Sequence, residues 1–251
     1  LSSFTLVIWR LLDTDLAPPA YTSAADEAIV LARQKNIVPN TLHLYRRDRP
    51  TISLGYFESF EENVDVEAAR KHGVQVVRRM SGGSAIYTDQ NQIIYSVVLG
   101  KDLVPESPND TYSVVCGGIV EALGILGLET EFKPINDVVV NGRKISGSAQ
   151  TRKNDVVLQH GTVIIDADFD LMFKVLRTRR KRVKTKEGMT SLAEELGRAP
   201  PMEKVKSAIV EGFSRRFGVE IVRGVMTHYE QKTIEKLIEE KYGREEYTLQ
   251  R

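Results

Sequence analysis

Short runs in which apolar residues alternate with polar ones, or follow one another directly, recur along the chain. Such runs are typical of β-strands, which present successive side chains to opposite faces of a sheet. Asn141-Gly142 separates two of them and is a strong signal for a two-residue hairpin turn. We expect the strands at 41–45 and 51–55 to pair with each other. The predicted strands cover residues 4–12, 41–45, 51–55, 74–79, 84–87, 92–99, 138–140, 143–148, 156–166 and 219–222.

Other segments repeat their apolar residues at the spacing of a helical turn. Ser23 is the expected N-cap of the first helix, and Gly127 ends the third. These helices are predicted at 24–35, 65–72, 113–126, 169–176, 202–217 and 229–241. Strands grouped with flanking helices, without a regular β–α–β alternation, favour an α+β fold. No repeat or long linker divides the sequence, so we expect residues 1–251 to form one domain with a helical end from about residue 200.

Composition narrows the function classes. Hydrophobic residues make up 41% and charged residues 27% of the 251 residues, which are ordinary values for a globular protein. The net charge of +1 is too balanced to predict nucleic-acid binding. Cys116 is the only cysteine of the sequence; it excludes an intramolecular disulfide and fits a cytoplasmic protein. No apolar run approaches the roughly 18 residues of a membrane-spanning helix, so we expect no membrane association.

The first chemically informative segment, residues 78–87, reads Arg-Arg-Met-Ser-Gly-Gly-Ser-Ala-Ile-Tyr. Its glycines allow the backbone to approach a ligand and to present N–H groups to an anion. Arg78 and Arg79 offer forked donors that suit a carboxylate or a phosphate. The alternative is an ordinary hairpin turn with its arginines in solvent.

The second segment, residues 136–150, contains Ser-Gly-Ser-Ala at 146–149, where small residues leave space beside the backbone. Lys144, two residues before Ser146, adds a mobile positive charge. Together these features suit a bound acyl phosphate. The alternative is close strand packing with Lys144 as a solvated hairpin charge.

The third segment is Gln159-His160-Gly161-Thr162, which interrupts an otherwise apolar strand pattern. A polar pair followed by glycine is compatible with a ligand-facing position, whereas a lone histidine is also compatible with a structural role. No second histidine or carboxylate stands at metal-ligand spacing from His160, so a zinc site is not expected.

Taken together, the order and spacing of these segments resemble the catalytic domain of the lipoate-protein ligase family, which is related to the biotin ligases. The matching elements are residues 78–89, Asn136-Asp137, residues 142–149 and His160–Thr162, and the resemblance covers nearly the whole chain. It implies a mixed, largely antiparallel sheet flanked by helices, like that of class II aminoacyl-tRNA synthetases. Two positions depart from the family pattern: Ser84 replaces a third glycine and Thr88 replaces a histidine.

The resemblance implies a two-step reaction in which ATP and Mg²⁺ convert lipoate to lipoyl-AMP, and the lipoyl group then passes to a carrier lysine. Lys144 is the expected catalytic residue, and Asp137 is the expected Mg²⁺ ligand. The expected substrate- and nucleotide-binding residues are Arg78, Arg79, Ser81, Gly82, Gly83, Ser84, Ala85, Asn136, Asp137, Ser146, Gly147, Ala149, His160, Gly161 and Thr162.

The resemblance also implies partners. They are lipoyl domains of 2-oxoacid dehydrogenase complexes or the glycine cleavage H protein, together with a separate accessory protein, because many family members carry a C-terminal domain that we expect to be absent here. The basic stretch at 177–186 would close over the nucleotide phosphates or dock an acidic carrier; the alternative is a solvated charged loop.

Two other functions stay open. One is a lipoyl or octanoyl transferase that works without ATP through a cysteine, although related transferases carry that cysteine shortly before the Gly-Arg-Lys hairpin, and residues 125–140 contain none. Cys116 instead falls within a predicted amphipathic helix, where we expect it to be buried. The other is a non-catalytic module that binds lipoate or a carrier.

Overall fold

Two β-sheets organise the computed structural model, which describes residues 7–177 and 185–250. The larger sheet has eight strands in the order β11-β1-β2-β6-β10-β9-β8-β7, and the smaller has three in the order β4-β3-β5. The larger sheet contains β1 (Ile8–Ala17), β2 (Thr41–Arg47), β6 (Gln92–Gly100), β7 (Glu131–Lys133), β8 (Asp137–Val140), β9 (Arg143–Lys153), β10 (Val156–Ile164) and β11 (Glu220–Arg223). The smaller contains β3 (Thr51–Leu54), β4 (Gln75–Arg78) and β5 (Ile86–Thr88).

Strand directions are mixed but largely antiparallel. From β2 through β6, β10, β9 and β8 to β7, every neighbouring pair is antiparallel, whereas β1 runs parallel to both β2 and β11. In the smaller sheet, β3 pairs parallel with β4 and antiparallel with β5. These observations confirm the expected α+β fold.

Helices cover both faces of the larger sheet. They are α1 (Pro19–Gln34), α2 (Phe60–Asn63), α3 (Val66–Lys71), α4 (Pro108–Ile125), α5 (Phe169–Val175), α6 (Leu192–Leu196), α7 (Met202–Phe217), α8 (His228–Leu237) and α9 (Glu245–Leu249), with a π-helical turn at Ile238–Tyr242. Within the described ranges, none of these helices is long and apolar enough to cross a membrane.

One face of the larger sheet packs against α4 and α7 and forms the main hydrophobic core, with Trp9, Leu42 and Phe213 fully buried. The two helices approach closely at glycines: a Cβ on Gly212 would lie 2.4 Å from the carbonyl oxygen of Gly118. The opposite face is covered by α1, on which α8 packs. Because side chains alternate along a strand, each central strand contributes one set of residues to the core and the other set to the α1 face.

Two local expectations differ from the structure. Strands β2 and β3 do not pair with each other but belong to different sheets. The first helix begins at Pro19 rather than after Ser23, with Pro18 at the N-cap position. Proline suits the first helical position because its missing N–H would have no partner there. Of the basic stretch, residues 178–184 lie outside the described residues.

Candidate active site

A cavity of about 390 Å³ lies between the α1 face of the larger sheet, the smaller sheet and α5. Much of its wall is apolar, and such a wall suits a hydrocarbon chain. The apolar lining includes Ile94, Ile164, Met172, Phe173, Leu176 and Met189.

Lys144 and Asp137 form an ion pair in the cavity wall, with Lys144 Nζ 2.6 Å from Asp137 Oδ1. They lie on adjacent strands, β9 and β8, whose register shifts between Val138 and Val139. The lysine side chain lies across Gly147, where an added Cβ would come within 2.4 Å of Nζ. The absence of a side chain at Gly147 therefore makes room for the ammonium group.

Arg79 donates hydrogen bonds to the backbone of the glycine turn, which comprises residues 82–85. Its guanidinium donates to the carbonyl oxygens of Ser53 (2.7 Å), Gly82 (2.7 Å) and Ser84 (2.9 Å). Burial lowers the pKa of Arg79 to about 10. Because the carbonyls point to the arginine, the N–H groups of the following peptides point away from it.

Three amides of this turn are candidate donors to a ligand. Among the described residues, the N–H groups of Gly83, Ser84 and Ala85 have no backbone acceptor. Gly83 has a φ of +86°, a conformation that favours glycine. All three residues line the cavity, and such a row of amides is suited to an anion.

A buried polar network lies beneath the turn. Nδ1 of His160 is 3.0 Å from Oδ2 of Asp26, and Nε2 is 2.6 Å from the Ser81 hydroxyl. The other carboxylate oxygen of Asp26 is 3.1 Å from Nδ1 of His43, and the Tyr45 hydroxyl donates to Oδ2 over 3.0 Å. Burial would raise the pKa of Asp26, but hydrogen bonds from His160 and His43 outweigh it and hold that pKa well below its usual range.

Arg78 is not among the residues that line this cavity. Its fully buried guanidinium donates to the carbonyl oxygens of Gly55 (3.1 Å), Glu58 (2.6 Å) and Thr248 (2.7 Å). These contacts join the 55–58 loop to α9. The expectation that Arg78 grips an anionic ligand therefore needs correction, since its donors hold backbone carbonyls instead.

The cavity brings together most of the residues expected from the sequence. Lining it are Arg79, Gly83, Ser84, Ala85, Asn136, Asp137, Lys144, Gly147, Ala149, His160, Gly161 and Thr162. Ser81, Gly82 and Ser146 are not among its lining residues. Ser81 lies behind the turn against His160, and Ser146 is fully buried.

Several lining residues were not expected from the sequence, among them Asp26, Tyr45, Arg47 and Gln92. Asp26 had one local signal: an acidic residue among the alanines of a helix face that must be buried. The position of Arg47 and Gln92 depends on strand pairing, which no local pattern specifies.

Cys116 lies on α4, on the core side of the larger sheet, and is fully buried. Its Sγ is 3.4 Å from the Ser148 hydroxyl. Burial raises the pKa of the Cys116 thiol to about 11. A thiol in this position is neither ionised near neutral pH nor open to the cavity, so it does not suit nucleophilic catalysis.

The described residues hold no group of three or more His, Cys, Asp or Glu side chains placed to bind a metal ion. Asp137 contributes a single carboxylate, which is already paired with Lys144. Mg²⁺ needs only one or two protein carboxylates when substrate phosphates supply further oxygens. The donor set therefore fits Mg²⁺ only together with a nucleotide.

An apolar cavity with cationic and amide donors along part of its wall is suited to holding an acyl chain while its carboxyl carbon reacts. Fold and site thus define an enzyme of acyl activation or transfer. Residues 18–214 match the Lipoyl protein ligase A/B catalytic domain, and the chain belongs to this family.

Curated relatives are similar over nearly their whole length. The chain is 32% identical to octanoyltransferase LipM of Symbiobacterium thermophilum over 271 residues, covering 97% of this chain and 98% of the relative. It is 35% identical to octanoyltransferase LipM of Kyrpidia tusciae, covering 92% and 94%.

Solved structures of lipoate ligases share the fold. The chain matches a bipartite lipoate protein ligase structure from Thermoplasma acidophilum with a TM-score of 0.85 and 25% identity, covering 97% of this chain and 96% of that one. A lipoate-protein ligase A bound with ATP matches with a TM-score of 0.85 and 26% identity, covering 97% and 98%. The expected family is confirmed. Since the octanoyltransferases are the more similar in sequence, the relatives favour the transferase alternative over the ATP-dependent ligase.

Proposed function

We propose that this enzyme forms an amide between an octanoyl or lipoyl group and a lysine of a carrier protein, and that the acyl group is never bound covalently to the enzyme. The observation that carries the proposal is the position of Cys116. It is the only cysteine of the sequence, it is buried on the core side of the sheet, and the pKa of its thiol is raised to about 11.

Direct transfer requires the carrier amine to attack the acyl carbonyl carbon, so that negative charge develops on the carbonyl oxygen before the leaving group departs. Lys144 and the amides of the glycine turn are the donors available to that charge. One such donor is worth about 10²–10³ in kcat in enzymes that stabilise oxyanions. Asp137 fixes the lysine ammonium in place.

The activated acyl group has two candidate forms, and the first is an adenylate. A carboxylate oxygen would attack the α-phosphorus of ATP, pyrophosphate would leave, and AMP would be released when the carrier lysine attacks. Both steps place negative charge near the carboxyl carbon, where Lys144 and the turn amides suit it. Mg²⁺, if used, would be held by Asp137 and the phosphates.

The second candidate is an acyl thioester, and the curated relatives favour it. Octanoyltransferases at 32% and 35% identity support transfer of an existing acyl group more directly than ligase structures at 25–26% support adenylation. Without a cysteine relay, the carrier amine would displace the thiol directly from the thioester, and no ATP would be consumed.

The carrier is proposed to be a lipoyl domain, of a 2-oxoacid dehydrogenase complex or of the glycine cleavage H protein. The related Thermoplasma system was solved as a bipartite ligase with its E2 lipoyl domain. An accessory protein is therefore a proposed partner for adenylate formation.

Carrier mass and pyrophosphate release, measured with alternative donors, test the proposal. The purified chain would be incubated with a lipoyl domain and with ATP, Mg²⁺ and lipoate or octanoate, or with octanoyl-carrier thioester alone. Acylation with pyrophosphate release supports the adenylate form, and acylation from the thioester without ATP supports the second form. Supplied acyl-adenylate serves as the control for a missing accessory protein. Trapping of an acyl group on Cys116 would overturn direct transfer. Binding of the acyl group or the carrier without transfer from any donor would show that the chain is a non-catalytic binding module.

A further inference from the structure

Arg47 and Gln92 stand together at one end of the cavity. Arg47 is the last residue of β2 and Gln92 the first of β6, the neighbouring strand, and Tyr45 already pairs with Ile94. Two further strand spacings separate β6 from β9, which carries Lys144. At about 4.8 Å per strand, Arg47 lies roughly 14 Å across the sheet from β9.

Arg47 is a buried cation with one unused donor. It is 3% exposed, donates through Nη1 to the Pro19 carbonyl and makes longer contacts from Nη1 (3.5 Å) and Nη2 (3.4 Å) to the Ser23 hydroxyl. Its Nε–H has no acceptor among the described residues, and no ion-pair partner is found for it there. The residue nevertheless lines the cavity.

Gln92 repeats this arrangement. Its side chain is 1% exposed and lines the cavity, and its Nε2 donor also lacks an acceptor among the described residues. Buried donors are almost always paired in folded proteins, so two unpaired donors on residues that line one cavity indicate that a ligand or water supplies the acceptors.

We propose that Arg47 and Gln92 form a tail subsite that selects acyl chains whose far end carries a hydrogen-bond acceptor. This inference rests on the proposed function, in which the carboxyl end reacts beside Lys144 and the chain extends across the sheet. A lipoyl tail meets the requirement because its ring sulfurs accept weak hydrogen bonds. An octanoyl tail ends in a methyl group, which would exclude water from both donors and leave them unpaired.

Specificity constants for three acyl groups test the subsite: lipoyl, octanoyl, and octanoyl with a terminal hydroxyl. Each is supplied in whichever activated form the wild type uses. We expect the lipoyl and hydroxyl-bearing groups to exceed octanoyl by on the order of tenfold in kcat/KM, the size of one modest hydrogen bond. Gln92→Leu should remove most of that preference by raising the octanoyl value, which a merely structural role would not do.

Ser96→Ala is the matched control. Ser96 lies on β6, four positions beyond Gln92 and on the same face; its buried hydroxyl also lacks an acceptor, but it does not line the cavity. Its substitution should leave the ratio of specificity constants unchanged. Equal use of the three groups by the wild type, or the same shift in the control, would overturn the proposal.

Binding of the three free acids to the wild type, measured by calorimetry, distinguishes a failure of the subsite from a failure of the proposed function. This measurement needs no variant. Preferential binding of lipoate and hydroxyoctanoate over octanoate by a chain that transfers none of them would support the subsite and overturn the function. Transfer without any preference in binding or rate would support the proposed function and overturn the subsite.

Discussion

Nζ of Lys144 lies 2.6 Å from Oδ1 of Asp137 in the cavity wall. The carboxylate side chain is 8% exposed and the lysine side chain 25% exposed, so the pair is partly shielded from water. Such shielding strengthens the attraction and holds the ammonium in one place. A positive charge fixed before the reaction begins stabilises developing negative charge without a cost of reorganisation.

Lys144→Ala should lower the kcat of acyl transfer about 10²–10³-fold, because it removes one donor to the developing charge. Rates of carrier acylation check this, with a cooperative thermal unfolding curve to show that the variant is folded. Lys153→Ala is the control, since Lys153 is also on β9 but is more exposed and pairs only distantly with Glu27, at 3.7 Å. A near-normal rate for Lys144→Ala would contradict the role assigned to it.

Gly147→Ala should reduce the rate by displacing the lysine. The new Cβ would lie 2.4 Å from Nζ, and the flexible end of Lys144 can move away at little cost to folding. We therefore expect a loss of kcat of about tenfold or more with a change in unfolding free energy below about 1 kcal/mol. Gly124→Ala, where nothing lies within 4 Å of an added Cβ, is the control.

Cys116→Ala should leave acyl transfer within about twofold of the wild type and lower stability by about 1–2 kcal/mol, since it removes only a buried packing atom. The native thiol should also resist alkylation at pH 8, because it is buried and its pKa is raised to about 11. Mass spectrometry after iodoacetamide treatment measures this. Rapid labelling, or loss of transfer in the variant, would reopen the cysteine mechanism.

Arg78→Met should loosen α9. The guanidinium is fully buried and donates to carbonyl oxygens of both the 55–58 loop and Thr248, so its loss removes buried hydrogen bonds to both. We expect a destabilisation of about 2–4 kcal/mol and faster hydrogen exchange at residues 245–249. Exchange in α4, on the far side of the sheet, supplies the internal reference. Unchanged exchange near the C-terminus would show that α9 is held by other contacts.

Asp26 should make stability depend on pH in the acid range. Its pKa is lowered in the folded state, so its contribution is present above the unfolded pKa of about 3.9 and is lost as pH falls below that value. Urea unfolding measured between pH 6 and pH 2 should therefore show a smaller acid-dependent loss of unfolding free energy for Asp26→Asn than for the wild type.

At neutral pH, Asp26→Asn itself should destabilise the fold by about 3 kcal/mol, because it removes the partner of His43 and His160. Asp170→Asn is the matched control: that side chain is 83% exposed and pairs with an exposed lysine. Identical pH profiles for Asp26→Asn and the wild type would rule out the buried carboxylate as the source.

Local structure and the main site motifs were largely predictable from neighbouring residues. The hairpin at Asn141-Gly142 forms where the sequence indicates it, with φ values of +48° and +77°, because those residue types accept that backbone conformation. Lys144, the glycine turn and His160 could be selected as one site because their chemistry is carried by short contiguous segments. The family followed from the spacing of the same segments.

Tertiary structure decided what depends on distant partners. Arg78 and Arg79 are adjacent in sequence, yet one donates to Thr248 in the C-terminal helix, 170 positions away, and the other to the glycine turn. Strand pairing likewise separated β2 from β3 and brought Arg47 beside Gln92. The physical reason is that backbone preference is set by a residue and its neighbours, whereas the burial and hydrogen-bond partners of a side chain are set by every element that packs around it.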